Sequence, residues 1–166
     1  VARPAVSAVF ETLRASMADI LPEGAAADAI VNETDNGLDV LIRPHKKLAL
    51  KLEMREALVA LAERAGLARL SWGDRATAEP VVTRRTPFLI LGDATVEPPP
   101  GAFLQATKRA ELTMRAAVNA WIGDAAHMAD LFAGIGALSL GRPGKLSLFE
   151  SDKPAVAAVE IGRAHV

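Results

Sequence analysis

Ala129-Asp130-Leu131-Phe132-Ala133-Gly134-Ile135-Gly136 is the stretch that decides the fold. A short apolar run, Met128 to Phe132, meets a glycine-punctuated turn, and an alanine- and leucine-containing helical stretch starts at Ala137. A second apolar run, Leu146-Ser147-Leu148-Phe149, ends on Glu150-Ser151-Asp152. Strand, glycine turn, helix, strand and acid in that order are the opening βαβ unit of a doubly wound sheet, whose ligands sit beyond the carboxyl ends of the strands. Gly134 and Gly136 let a backbone approach a ligand where a Cβ would collide. Glu150, fourteen residues after Gly136, is placed to accept hydrogen bonds from the hydroxyls of a ribose, so the pair describes a nucleoside cofactor site. A bare strand-to-helix turn without a ligand is the competing reading. A dinucleotide would favour a third glycine near the helix start for its pyrophosphate, and position 139 is Ser, which favours S-adenosylmethionine instead.

Ahead of this unit, a helix is expected from Lys108 to Trp121, and ahead of that lies Glu97-Pro98-Pro99-Pro100-Gly101, a stiff extended stretch that reads as a boundary between units. Residues 1–97 read as a small mixed α/β domain. Val6, Val9, Phe10, Leu13, Met17 and Ile20 recur at helical spacing, and the helix stops before Pro22 and Gly24. Two β-prone runs flank Asp35-Asn36-Gly37 and predict a hairpin with Asn-Gly at its turn. A helix is expected from Leu48 to Ala65, closed by Gly66, and short strands at residues 70–72, 80–83 and 88–91.

Composition narrows the chemistry. The chain of 166 residues contains no cysteine, which removes disulfides, thiolate metal sites and a cysteine nucleophile. No apolar run is long enough for a membrane span, and the N-terminus lacks a signal-peptide pattern, so a cytoplasmic, monomeric chain is expected. The net charge of -1 gives no global pull on nucleic acid, so RNA contact must come from local patches. Arg43, His45, Lys46, Lys47 and Lys51 form the densest basic cluster, with Arg84-Arg85 and Lys108-Arg109 as smaller ones, and each has the alternative role of a solvated face. His45 and His127 are isolated and make no metal-ligand spacing, so no metal is expected.

Taken with Pro98-Pro99-Pro100-Gly101-Ala102-Phe103-Leu104-Gln105 and the hairpin at residues 35–42, these motifs resemble the RNA uracil-5 methyltransferases, a class I S-adenosylmethionine-dependent family acting on transfer or ribosomal RNA. The resemblance covers nearly all of residues 27–159, and its most specific element is Phe103-Leu104-Gln105. It implies a truncated Rossmann-like methyltransferase domain over residues 98–159, with S-adenosylmethionine as cofactor and RNA (rRNA or tRNA) as partner. It further implies that Gln105 contacts the cofactor, Phe132 lines its pocket and Glu150 holds the ribose, with Gly134 and Gly136 forming the turn. Against these stand plainer roles: Gln105 as a helix cap, Phe132 as core and Glu150 as a solvated strand end.

Uracil carbon 5 is a poor nucleophile, and the family's chemistry adds a cysteine thiolate to carbon 6 before methylation and then removes the carbon 5 proton with a carboxylate. In the family both groups lie beyond the segment matched here, so no catalytic residue is assigned; Asp93 and Glu97 read as solvated loop acids. The chain is therefore expected to bind cofactor without completing methyl transfer. Two departures weaken the match: Ala137 stands where many relatives carry Asn, and Pro143 and Gly144 shorten the connection to Glu150. Residues 160–166, Glu-Ile-Gly-Arg-Ala-His-Val, resemble the in-frame translation of a common sequencing adapter, and the natural sequence is expected to break off near Val159. Another class I methyltransferase, or a non-catalytic nucleotide- or RNA-binding module, are the alternatives.

Overall fold

The computed structural model describes residues 4–163, so the last three residues of the suspected foreign tail lie outside the described residues. The chain is a mixed α/β protein that divides into two compact units between Pro87 and Phe88, ahead of the boundary expected at residue 97.

In the first unit, helix α1 (Pro4–Ile20) precedes strands β1 (Ala27–Thr34) and β2 (Gly37–Pro44), helix α2 (Leu52–Arg64), and strands β3 (Arg69–Trp72) and β4 (Glu79–Thr83). The four strands form one sheet in chain order, antiparallel except for β2 and β3, which run parallel and are joined through α2. The apolar stripes of α1 and α2 (Val9, Leu13, Met54, Leu58, Leu61) close on Val40, Ile42, Leu70 and Trp72 of the sheet. α2 starts later than its periodicity predicts, at Leu52, because residues 45–51 leave the sheet as a loop.

The hairpin forms at the predicted place with a shifted turn. Thr34 pairs with Gly37, so Asp35 and Asn36 are the two turn residues, and the positive φ is carried by Gly37 (143°) rather than by Asn36. The Asn36 side-chain amide donates to the Thr86 carbonyl at 2.7 Å, and Arg85 donates to the carbonyls of Asn36 at 3.1 Å and Gly66 at 2.9 Å. Arg85, one of the smaller basic patches, thereby ties the hairpin tip to the end of α2.

On the sheet face opposite Val40 and Ile42, Arg69 and Asp39 stand opposite each other on β3 and β2 and form a bidentate pair, 2.9 Å from Nε to Oδ1 and 2.8 Å from Nη2 to Oδ2. Both are almost fully buried, at 4% and 2% exposure. Removing one partner leaves an uncompensated buried charge, whereas replacing both by apolar groups of similar volume is close to neutral.

The second unit holds the short hairpin β5 (Leu89–Leu91) and β6 (Ala94–Val96), helix α3 (Lys108–Ile122), the parallel pair β7 (His127–Leu131) and β8 (Lys145–Phe149), and helix α4 (Lys153–Arg163). Leu89, Leu91, Ala94 and Val96 of the hairpin pack with Ile135, Leu140, Ala155 and Val159 to make its core. β6 lies outside the strands expected from sequence. Gly92 takes a positive φ (71°) at the first turn position of the hairpin, the role glycine has in a tight two-residue loop. Between β7 and β8 the expected helix does not form: residues 134–141 are successive turns, and the parallel pair has two strands only.

Asp39→Ala is expected to lower stability by about 3–5 kcal/mol, and the double variant Asp39→Leu with Arg69→Met to recover most of that loss. Urea titration followed by Trp72 fluorescence measures both; equal destabilisation by the single and double variants would contradict this account.

Candidate functional site

The site grows from the carboxyl ends of the two parallel strands β7 and β8. Past Leu131 the chain turns sharply. Phe132 has φ of 60°, the one positive value for a non-glycine residue among the described residues, which costs about 1–2 kcal/mol in an L-residue. Gly134 (φ 56°) and Gly136 (φ 75°) continue the turn, closed by the Gly136 amide on the Ala133 carbonyl at 2.8 Å. A Cβ placed on Gly134 would meet nothing within 4 Å, so the backbone there borders open space. A Cβ on Gly136 would lie 2.7 Å from the Leu140 side chain, and its φ of 75° favours glycine independently of that contact.

Glu150 joins the two strand ends. Its Oε2 accepts the Gly134 amide at 2.8 Å, and its Oε1 accepts the amides of Ser151 at 2.7 Å and Asp152 at 2.8 Å. These backbone donors, from Asp152 first, then Gly134 and Ser151, hold the carboxyl below the usual carboxylate range. With about four lone-pair sites on a carboxylate, Oε1 is filled and Oε2 keeps one acceptor position. One further donor can therefore be accepted directly, and a second would have to displace an amide.

Beside this junction lies a cavity of about 360 Å³ lined by Gly134, Leu148, Glu150, Val156, Val159 and Glu160, within the size range of small-molecule sites. It has an apolar wall from β8 and α4, a glycine backbone on one side and two carboxylates, Glu150 and Glu160, in its lining. That arrangement suits a nucleoside: an apolar slot for the base, an acceptor for the sugar hydroxyls and no side chain blocking the turn. Val156 and Glu160 of α4 are additions to the residues named from sequence, because nothing in their periodicity separates a ligand-facing residue from a packed one. α4 itself runs through residues 160–163 of the suspected foreign tail, and Gly162 abuts the Thr95 carbonyl, where a Cβ would stand 2.7 Å away.

Of the residues named from sequence, the cavity brings together Gly134 and Glu150. Phe132 is 89% exposed and is not core. Gln105 lies in the irregular stretch before α3 and is not its cap; the cap is Thr107, whose side chain accepts the Ala110 amide at 3.1 Å. Among the described residues there is no group of three or more His, Asp or Glu side chains able to hold a metal, and no helix long and apolar enough to cross a membrane.

Comparison with known proteins gives the following. An uncharacterized RNA methyltransferase of Brucella suis biovar 1 is 36% identical over 165 residues, which cover 98% of this chain and 38% of that protein. Those of Rhizobium meliloti (36% over 162 residues, 95% and 37% covered) and Mesorhizobium japonicum (35% over 161 residues, 96% and 38% covered) match similarly. Over nearly its whole length the chain is similar to proteins named RNA methyltransferases. It spans about 38% of the length of these curated relatives. No family model matches it. Among solved structures, P. horikoshii TYW2 in complex with MeSAdo aligns at 17% identity with a TM-score of 0.44, covering 96% of this chain and 60% of that one.

The depressed Glu150 pKa has a testable sign. A carboxyl lowered on folding contributes stability above its unfolded value, near 4.3 for Glu, and loses it as pH falls through the folded value. In proton–nitrogen NMR spectra the amides of Gly134, Ser151 and Asp152 are expected to hold their positions from pH 8 to about pH 5 and to shift together with a midpoint below about 4.3. Independent midpoints would show that no shared carboxylate binds them.

Proposed function

We propose that this chain is the cofactor-binding part of an RNA methyltransferase that transfers a methyl group from S-adenosylmethionine to carbon 5 of a uridine in rRNA or tRNA. The observation that carries the reading is the Gly134 turn and the Glu150 carboxylate flanking one nucleoside-sized cavity at the carboxyl ends of β7 and β8. The relatives named RNA methyltransferases support RNA as the substrate class, and Phe103-Leu104-Gln105 supports the uridine carbon 5 branch.

The residues present fit this cofactor. Open space at Gly134 admits it, Leu148, Val156 and Val159 offer an apolar wall to adenine, and the free position on Glu150 Oε2 accepts a ribose hydroxyl. Phe132 is exposed at the start of the turn, and Gln105 is the polar group assigned to the cofactor from the preceding stretch; neither lines the cavity itself. When bound, S-adenosylmethionine supplies an electrophilic methyl group. The thiolate that activates uracil has no source among these 166 residues, which include no cysteine, so binding and catalysis separate in this chain.

Calorimetric titration with S-adenosylhomocysteine tests the reading. Saturable binding is expected, abolished by Glu150→Ala and weakened at least about tenfold, or 1.4 kcal/mol, by Val156→Phe, which fills the cavity from α4 and leaves the Glu150 junction intact. Methyl transfer to RNA by this chain is expected to be undetectable. A folded chain that fails to bind, or binding indifferent to both variants, would overturn the proposal.

A further inference from the structure

The first unit carries a second crevice of the kind that binds ligands. β2 and β3 are a parallel pair joined through α2, and the space beyond the carboxyl ends of such strands is where open α/β sheets bind their ligands. Here that space is an open groove of about 880 Å³. One side is the segment leaving β2, with Arg43, His45, Lys46 and Lys47; the other follows β3, with Asp74 and Glu79. Trp72 forms its base, its indole N–H directed at the Leu48 carbonyl at 3.4 Å.

The cations are arranged in two ways. Arg43 Nη2 and His45 Nε2 lie 2.7 Å and 2.8 Å from the two oxygens of Asp28, so one carboxylate, itself on β1 opposite Arg43, orients both side chains at the groove edge. Lys46 and Lys47 are exposed and, among the described residues, have no such partner holding them against the fold. On the far side, the Asp74 carboxylate accepts the Arg75 amide at 2.8 Å, which fixes that loop.

We infer that this groove is a binding track for a single RNA strand, separate from the cofactor cavity, with the phosphodiester backbone along Arg43, Lys46 and Lys47 and the hydroxyl and amino donors of the nucleotides facing Asp74 and Glu79. A bare phosphate or polyphosphate would meet the cations and be repelled by the acidic side. RNA satisfies both sides at once, because it alternates phosphate charge with 2′-hydroxyl and exocyclic amino donors. The inference rests on the RNA methyltransferase reading for the choice of RNA, and the groove geometry stands apart from it.

Fluorescence anisotropy of a labelled 12-nucleotide single-stranded RNA with the full chain provides the test. Lys46→Glu with Lys47→Glu is expected to weaken binding at least about tenfold and to make the dependence of log affinity on log salt shallower by about 1.4, about 0.7 for each phosphate that is no longer neutralised. Arg14→Glu with Lys145→Glu, the same charge change at exposed positions outside the groove, should leave affinity within about twofold and serves as the comparison. Asp74→Asn with Glu79→Gln should weaken RNA while tightening inorganic tripolyphosphate. Equal losses in both charge-reversal variants, or no RNA binding by a chain that binds S-adenosylhomocysteine, would overturn the track while leaving the cofactor reading in place. RNA binding through the groove by a chain that binds no S-adenosylhomocysteine would sustain the track and overturn the methyltransferase reading.

Discussion

The Glu150 carboxylate is the group on which the second unit's geometry converges. A two-stranded parallel pair has no hairpin to fix its carboxyl ends, and parallel pairing is slightly weaker per residue than antiparallel. Here the ends are fixed by side-chain chemistry: one carboxylate collects amides from the turn after β7 and from the two residues that follow it after β8. The Ala133 amide on the Phe149 carbonyl at 3.2 Å adds a second tie across the same gap. Phe132 directly precedes both ties and takes a left-handed conformation, so its strain is set against the hydrogen bonds of the two residues that follow, and its ring is left outside the core. Charge on Glu150 is thus a folding element, and one position on Oε2 stays open beside the cavity.

The same unit shows how a segment too short for a helix satisfies its backbone. Residues 134–141 make turns, and a turn leaves carbonyls that a helix would have used. Arg115 of α3 donates to the Ala137 carbonyl at 2.6 Å and to the Leu140 carbonyl at 2.8 Å, and Arg142 reaches back to Asn119 Oδ1 at 2.9 Å and the Gly123 carbonyl at 3.0 Å. The Arg115 guanidinium therefore replaces part of the missing helical ladder, while Arg142 ties the far side of the segment to the end of α3. Gly141 permits this route because a Cβ there would lie 2.3 Å from the Gly92 Cα, so the hairpin and the turn segment meet backbone to backbone.

Much of this is legible in the sequence because it depends on local rules. The helices at residues 4–20 and 108–122, the hairpin and the strand–glycine–strand–acid order all follow from periodicity and turn chemistry. What escapes such rules is set by tertiary context. Asn36-Gly37 signals a turn, yet the hydrogen bonds of Asn36 and Arg85 with residues fixed elsewhere place the turn one residue earlier. The β5–β6 hairpin hides behind Gly92-Asp93, a recognisable turn between two three-residue runs, since runs so short carry little alternation. Asp39, within an apolar strand, is invisible as a buried charge until Arg69 stands across from it. In the candidate site, glycines and the strand-end acid are readable, whereas the apolar wall from α4 is not, because Val156 and Val159 look the same whether they face a ligand or a neighbour.

Both units contain a parallel strand pair, and the residues that leave the first strand of each decide what its crevice admits. After β7 the chain offers Ala133-Gly134, and the absent Cβ of Gly134 leaves open space for close contact with a compact ligand. After β2 it offers His45-Lys46-Lys47, and the two long lysine side chains reach a ligand through charge rather than close backbone fit. A nucleoside, with one apolar base and two hydroxyls, is discriminated by the first kind of crevice, where fit and hydrogen bonds are strict. A polyanion is held by the second, where counterion release supplies affinity and close fit matters little. On the proposed reading, an enzyme that carries a small cofactor to a large nucleic acid needs one of each, and the difference between the two turn sequences is first of all one of side-chain length.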